Sequence, residues 1–164
     1  MKDKDGVFSK VAGELQHLGL TVISTDNNRP WGGFYVIDEA DTSKFVKAYF
    51  PEENMDELKI IHKLSPKILI VAPHSRLSWQ YHQRRSEIWK CISGPVAVAT
   101  SDNDEEKEQH ILNMSEIIRL KQGDRHRLIG LDDWGIVAEI WQHTQVENPS
   151  DEEDIVRVQD DYGR

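Results

Sequence analysis

The sequence has little of several features that would restrict its fold or its location. Its one cysteine, Cys91, excludes an intrachain disulfide and is compatible with a reducing compartment. No apolar run approaches the ~20 residues that span a bilayer. The N-terminal residues also lack the apolar segment of a secretion signal. We therefore expect a cytoplasmic protein that has no membrane partner.

The chain has fewer basic residues than acidic ones. The chain has 20 lysines and arginines against 29 acidic residues, and its net charge is −9. We expect no nucleic-acid partner, because phosphate neutralisation needs a basic surface. Eight basic residues nevertheless fall within residues 76–90 and 119–127. These stretches are either solvated loop ends or a local positive surface that attracts a small anion.

Short β-rich segments separated by turn residues make up most of the chain. The predicted strands are residues 33–37, 44–50, 67–71, 77–82, 88–92, 96–100, 111–113, 117–120, 128–129 and 136–141. Many short strands with tight turns favour an antiparallel sandwich or jelly roll. At 164 residues the chain is long enough for one domain with a core of its own.

Two segments have helical spacing instead. In the first, apolar residues recur every three or four positions: Val7, Val11, Leu15 and Leu18. With Gly19 as a stop signal, they predict a helix over about residues 5–18. A second helix is predicted over residues 54–64, with Asn54 as its N-cap and Pro66 beyond its end.

The segment before His82 has one polar face. Its polar residues occupy alternate positions and so point the same way: Arg76, Ser78, Gln80 and His82. Leu77, Trp79 and Tyr81 point the other way. The polar face either meets water on a half-exposed strand or lines a site inside a barrel.

Four potential metal ligands are associated with this strand. Gln80 and His82 share a face, and an antiparallel return strand can bring Glu87 beside them. A turn at Gly123 then lets His126 close the site from a neighbouring strand. Two neutral imidazoles, a carboxylate and an amide oxygen suit Zn²⁺, Mn²⁺, Fe²⁺ or Co²⁺. We predict one bound divalent metal ion.

The same residues resemble the two motifs of the cupin family. In the first motif, H-x-H is matched by residues 80–82, the glutamate by Glu87 and the final glycine by Gly94, while His74 stands at the first glycine position. The second motif, P-x-G-x-x-H, is matched by residues 121–126. The resemblance implies an all-β fold, the cupin double-stranded β-helix or jelly-roll barrel, with N-terminal helical additions.

Within the cupins the chain resembles the type II phosphomannose isomerase domain. The segments that carry this resemblance are residues 29–32, 76–78, 80–89, 126–128, 154–157 and 160–164. It implies a cupin barrel over residues 29–164 after a helical extension over residues 1–28, within a single domain overall. It also implies that the family's zinc ligands correspond to Gln80, His82, Glu87 and His126, and that the protein is a homodimer.

The resemblance implies a metal-dependent aldose–ketose isomerase that acts on a sugar phosphate. The expected reaction interconverts mannose 6-phosphate and fructose 6-phosphate, with zinc as the first choice of metal. Two other classes remain open. One is a different metal cupin enzyme, either an oxygenase or a nucleotide-sugar epimerase. The other is a non-catalytic sugar-binding cupin.

Such a reaction needs a base and a phosphate-binding group. Glu139 is the first candidate base, because it alternates with apolar residues and shares with Trp141 a face that we expect to point into the barrel. The alternative is a surface glutamate on an exposed strand. Lys90 and Asp124 are weaker candidates. Arg76 shares the face of the predicted ligands, and Arg164 lies in the matched C-terminal segment. Either arginine contacts the phosphate or pairs with an acid of this acidic chain.

Overall fold

The computed structural model describes residues 3–59 and 63–163 as two antiparallel sheets with helices packed against one of them. The helices are α1 Lys4–His17, α2 Thr42–Tyr49 and α3 Met55–Leu58, with a 3-10 turn at Glu39–Asp41. The strands are β1 Val22–Arg29, β2 Gly32–Ile37, β3 Lys67–Val71, β4 Trp79–Tyr81, β5 Arg85–Ser93, β6 Val96–Ser101, β7 Glu108–Leu112, β8 Ile117–Leu120, β9 Arg125–Gly130, β10 Gly135–His143 and β11 Val156–Gln159.

The strand order is that of a jelly roll. The first sheet runs β1-β2-β3-β10-β5-β8 and the second runs β11-β4-β9-β6-β7. Strands distant in sequence are thus neighbours in space, as where β10 lies between β3 and β5. The predicted all-β barrel with N-terminal helical additions is confirmed. None of the helices described for residues 3–59 and 63–163 has the length and hydropathy needed to traverse a lipid bilayer.

The first sheet is covered on both faces. Ile68 and Ile70 of β3 pack in one apolar cluster with the helices, whereas Leu69 and Val71 pack in a second cluster between the sheets. Burial on both faces explains why β3 is an almost uninterrupted apolar run instead of an alternating one.

At one end of the barrel the inward face of this sheet changes from apolar to charged. Beyond the apolar residues of β3, β10 and β5, the same face carries Lys67, Glu139 and Glu87. The register places Glu139 directly opposite Lys67. All three side chains are buried. Because a buried charge is costly without a partner, this end of the barrel is where a polar site is expected.

Three assignments made from the sequence are wrong in detail. The strand predicted over residues 44–50 is helix α2, since Phe45, Val46 and Tyr49 recur at helical spacing and pack on the core. The helical extension predicted over residues 1–28 ends with a strand, β1, that pairs with β2. Leu18, predicted on the buried face of α1, is 41% exposed.

The second predicted helix is shorter than expected. Helix α3 begins after Asn54, whose side chain accepts a hydrogen bond from the backbone of Asp56, so the predicted N-cap is confirmed. The helix ends at Leu58 because Lys59 is already extended. Residues 60–62 of the predicted helix lie outside the described residues.

Candidate metal centre and its cavity

The side chains of His82, Glu87 and His126 converge at the charged end of the barrel. Oε1 of Glu87 lies 2.9 Å from Nε2 of His82 and 3.1 Å from Nε2 of His126. Each residue is at most 2% exposed. Potential ligand atoms of the three residues all lie within 4.8 Å of one another. One ion could therefore contact all three side chains.

Backbone carbonyls fix the tautomer of both imidazoles. Nδ1 of His82 donates to the carbonyl of Asp154 at 2.7 Å, and Nδ1 of His126 donates to the carbonyl of Asp124 at 3.0 Å. Because a carbonyl oxygen only accepts, each neutral ring carries its hydrogen on Nδ1 and a lone pair on Nε2. Two lone pairs thus face a carboxylate oxygen.

The three converging atoms, Nε2 of both histidines and Oε1 of Glu87, are all acceptors, so a cation suits them better than contact with one another. Within the described chain, Nε2 of His126 and Oε1 of Glu87 are buried without a hydrogen-bond partner. A divalent ion between them would satisfy both atoms, and the carbonyl contacts at Nδ1 are those that orient metal-binding histidines in proteins. The residues present therefore fit a metal.

Gln80, the fourth predicted ligand, lines the cavity beside this group. It pairs with His126 across β4 and β9, which puts the two residues side by side. Its Oε1 accepts a hydrogen bond from Ser78 Oγ at 2.6 Å, and an amide oxygen has a second lone pair for a metal. Of the predicted polar face, the structure places Ser78, Gln80 and His82 inside the barrel and leaves Arg76 outside it. Metal ligation by Gln80 stays a prediction.

A second buried carboxyl, that of Glu139, lies in the same cavity. Its Oε1 accepts from Trp141 Nε1 at 2.6 Å, and its Oε2 accepts from Trp89 Nε1 at 2.7 Å. Burial, and then the charge of Glu87, raise the pKa of Glu139 to about 8. Strand parity correctly predicts that this side chain points into the barrel. Its role as a base stays a prediction.

Arg85 stands between the metal ligands and the C-terminal segment. Its guanidinium lies 3.6 Å from the ring centroid of Trp141, and one of its nitrogens lies 3.2 Å from Nε2 of His82. Although burial opposes the effect, His82 and Arg85 hold the pKa of Glu87 well below its usual range. Glu87 and Glu139 are therefore neighbouring carboxyls with very different proton affinities, a feature of sites that transfer protons.

The cavity above these groups has a volume of about 100 Å³. Four basic side chains of the described residues line it: Arg29, Lys67, Arg85 and Arg157. None of them is among the site residues predicted from the sequence. Arg85 could have been identified because it is two residues from Glu87 on β5 and so shares its face. Lys67 can be placed in the site only when the pairing of β3 with β10 is known.

A family model described as mannose-6-phosphate isomerase C-terminal matches residues 40–160. The chain belongs to this family. Its domain is of the cupin type, and cupins commonly bind a metal. The buried His82, Glu87 and His126 of this family member could hold one. No sequence among curated proteins matches the chain.

Solved structures similar to this isomerase-family cupin share its fold at low identity. The capsular polysaccharide assembling protein CapF from Staphylococcus aureus is 12% identical, with a TM-score of 0.55, over 85% of this chain and 34% of that one. Vicilin from Solanum lycopersicum is 16% identical, with a TM-score of 0.55, over 85% and 35%. Vicilin from Corylus avellana is 15% identical, with a TM-score of 0.56, over 85% and 36%. The chain thus spans about a third of each of these proteins.

Two of the candidate catalytic residues lie away from the cavity. Lys90 occupies the opposite face of β5 from Glu87, so its predicted placement in the site is wrong. The carboxylate of Asp124 closes the turn before β9 by accepting from the backbone of Lys121. Asp124 contributes to the centre through its carbonyl, which orients His126.

The predicted phosphate-binding arginines are not found in the cavity either. Arg76 contacts both carboxylate oxygens of Asp161, at 2.6 and 2.9 Å, and is not among the residues that line the cavity. Pairing with an acid, the alternative expected for Arg76, is therefore what the structure shows. Arg164 lies outside the described residues.

Proposed function

We propose that this chain is a metal-dependent aldose–ketose isomerase that acts on a sugar phosphate, with mannose 6-phosphate and fructose 6-phosphate as its substrate pair. The observation that carries the proposal is the buried group of His82, Glu87 and His126 with a second carboxyl, Glu139, in the same cavity. The family match over residues 40–160 supports the same reaction class.

In this proposal Gln80, His82, Glu87 and His126 hold one divalent ion, with zinc as the first choice. The ion, when bound, supplies Lewis-acid polarisation of the sugar's carbonyl oxygen. Gln80 adds an oxygen ligand to the two imidazoles and the carboxylate, which completes a four-ligand set. The carbonyls of Asp154 and Asp124 keep both imidazoles in the tautomer that this set requires.

Glu139 is the proposed base: a bound divalent cation would lower the pKa of its carboxyl, so that it is ionised and can accept a proton at neutral pH. It removes the proton from C2 of the aldose, which is acidic because it is α to the C1 carbonyl, and returns a proton to C1. A hydroxyl proton moves from O2 to O1, so the aldose becomes the ketose without any net change in oxidation state. The indole N–H groups of Trp89 and Trp141 hold one oxygen each and fix the orientation of the carboxyl group.

The charge of the cavity supports an anionic ligand. Among the described residues its lining has four basic side chains against three acidic ones, although the chain as a whole is acidic. A local field of this kind attracts a small anion, and guanidinium groups match the geometry of a phosphate. In this proposal the lining binds the phosphate in place of Arg76, and the predicted role of Arg164 stays a prediction.

The test combines metal analysis with a screen of sugar phosphates. We expect about one divalent ion per chain and interconversion of mannose 6-phosphate and fructose 6-phosphate, lost on chelation and restored by the metal. Failure of the metal-loaded protein to isomerise any sugar phosphate would contradict the proposal. Iron with substrate-dependent oxygen consumption would indicate an oxygenase. Epimerised nucleotide sugars would indicate an epimerase, and sugar binding without metal a binding protein.

A further inference from the structure

The C-terminal strap, residues 148–155, crosses the mouth of the metal cavity. Its carbonyls at Pro149 and Asp151 accept hydrogen bonds from Arg84 at 2.7 Å and Arg85 at 3.0 Å. The carboxylate of Asp154 accepts from the backbone of Arg84 at 3.0 Å. These contacts attach both ends of the strap to the segment that carries the metal ligands, so its middle residues are held over the cavity.

At the middle of the strap, Glu152 forms an ion pair with Lys67 inside the barrel. The two side chains differ sharply in burial, since Lys67 is 7% exposed and Glu152 is 60% exposed. The ammonium lies 4.4 Å from the ring centroid of Phe34 and 5.1 Å from that of Trp141. Within the described chain, Glu152 accepts the hydrogen bond that the Lys67 ammonium donates. An ammonium has three N–H donors, so it can bind further acceptors.

This ion pair also borders two cavities. Lys67 and Glu152 line the metal cavity of about 100 Å³ and a second, outer cavity of about 250 Å³. The metal cavity alone is smaller than the ~300–1,000 Å³ typical of small-molecule sites. Because Glu152 is largely exposed, its carboxylate can rotate into solvent once another anion takes its place on the buried ammonium, and this movement would join the two cavities.

We propose that Lys67 selects for an anionic group on the ligand and that Glu152 is an internal stand-in for that group. An entering phosphate displaces the Glu152 carboxylate from Lys67 and opens the metal cavity into the outer one. The identity of the ligand as a sugar phosphate rests on the proposed function. The displacement itself needs only an anion, a buried ammonium and an exposed carboxylate.

The test uses calorimetric titration of the metal-loaded protein with mannose 6-phosphate, inorganic phosphate and uncharged mannose. Glu152→Gln keeps the shape of the side chain and removes its charge. We expect it to bind both phosphates about threefold to fivefold more tightly than wild type, with mannose unchanged. Glu153→Gln is the matched control, because the neighbouring glutamate is exposed and does not line either cavity. It should bind like wild type.

Lys67→Met provides the converse change. It should weaken the binding of both phosphates by about 10–100-fold and leave mannose unchanged. In the double variant that combines Lys67→Met with Glu152→Gln, the glutamine should give no gain in phosphate affinity over Lys67→Met alone. Equal gains from Glu152→Gln and Glu153→Gln would overturn the proposal, as would failure of the wild type to bind either phosphate. If Lys67→Met does not fold, the two glutamine variants still decide the question.

These outcomes separate the ion-pair proposal from the proposed function. Calorimetry measures binding and not turnover. A chain that binds mannose 6-phosphate in this charge-dependent way without isomerising it would refute the proposed function and leave the displacement of Glu152 intact. If the protein isomerises mannose 6-phosphate but Glu152→Gln, Glu153→Gln and Lys67→Met all bind it as tightly as wild type does, the proposed function stands and the displacement of Glu152 is refuted.

Discussion

At the scale of single residues, the lone pair on Nε2 of His126 is one of three that converge on the proposed metal position. His126→Ala removes it and should lower metal affinity by more than about 100-fold, because the remaining ligands no longer form a closed set. Competition with a chromophoric chelator measures the change. His110→Ala is the control, since His110 is an exposed histidine of β7. Full metal occupancy in His126→Ala would rule out this ligand set.

Glu139 is tested by a change that removes its basicity and keeps its shape, while the amide retains one acceptor oxygen for the two indole N–H groups. Glu139→Gln should bind metal and mannose 6-phosphate nearly as wild type does, and it should lower turnover by about 10²–10⁴-fold. Exchange of the C2 proton with deuterated solvent is the companion measurement, and it should fall in parallel. A variant that isomerises at the wild-type rate would mean that another group moves the proton.

Residue placement could be predicted from the sequence where it depends on local alternation. Gln80, His82 and Glu139 face the cavity because neighbours two apart on a strand point the same way. Lys67 could not be found in this way. It opens an apolar strand, and its place beside Glu139 depends on the pairing of β3 with β10, which no local pattern contains.

At the scale of elements, helix α1 stabilises the barrel from outside. Leu15 is fully buried on its inner face, whereas Leu18, one turn later, is 41% exposed. Leu15→Ala should lower the free energy of unfolding by about 2–4 kcal/mol, and Leu18→Ala should change it by less than about 0.5 kcal/mol. Urea denaturation measures both. Because α1 packs on the outer face of its sheet, the metal content should stay unchanged; equal losses in both variants would contradict this packing.

His143, at the end of β10, connects the C-terminal strap to the barrel. Its Nδ1 accepts the backbone N–H of Ser150, and its Nε2 contacts the hydroxyl of Ser65. Burial, and then the charge of Lys63, lower the pKa of His143 to about 4. As pH falls from about 6.5 to about 4, the unfolded chain therefore binds a proton here that the folded chain does not.

Stability should consequently fall with pH across this window. We expect the free energy of unfolding of wild type to drop by on the order of 1 kcal/mol more than that of His143→Gln between pH 6.5 and 4. Glutamine can keep both hydrogen bonds and does not titrate. Denaturant titrations at several pH values measure the difference, and parallel pH dependences would show that His143 does not contribute.

The wrong assignment of residues 44–50 shows why element type was only partly predictable. Phe45, Val46, Tyr49 and Phe50 are aromatic or β-branched, which favours a strand by propensity. Their spacing is helical, and the helix lets Phe45 and Phe50 become fully buried in the core. Tertiary packing therefore decided the element over residue propensity.

At the scale of the whole molecule, metal binding and folding should be linked. A metal at about 100 times its dissociation constant adds about 2.7 kcal/mol of stability, which is about 5–10 °C in Tm for a chain of this size. Chelation should lower Tm by this amount in wild type and in His110→Ala, and should leave His126→Ala unchanged. Calorimetric melting with zinc and with chelator measures the shift, and identical curves in wild type would contradict the link.

The overall architecture was predictable because many short strands with tight turns have few ways to bury their apolar faces. The order β1-β2-β3-β10-β5-β8 was not derivable from those strands, since it depends on pairings between distant segments. The expected homodimer, cytoplasmic location and single-domain organisation stay predictions.

The hydrogen bond from His82 to the carbonyl of Asp154 has a consequence for biosynthesis. The two residues are 72 positions apart, and His126 also follows His82 and Glu87 on the chain. During translation the first three proposed ligands leave the ribosome well before the residues that complete and orient the set. A nascent chain can therefore offer a metal ion only an incomplete and unoriented group of ligands. With the proposed ligand set, loading at full affinity would wait until residue 154 has been made and has folded back onto the barrel.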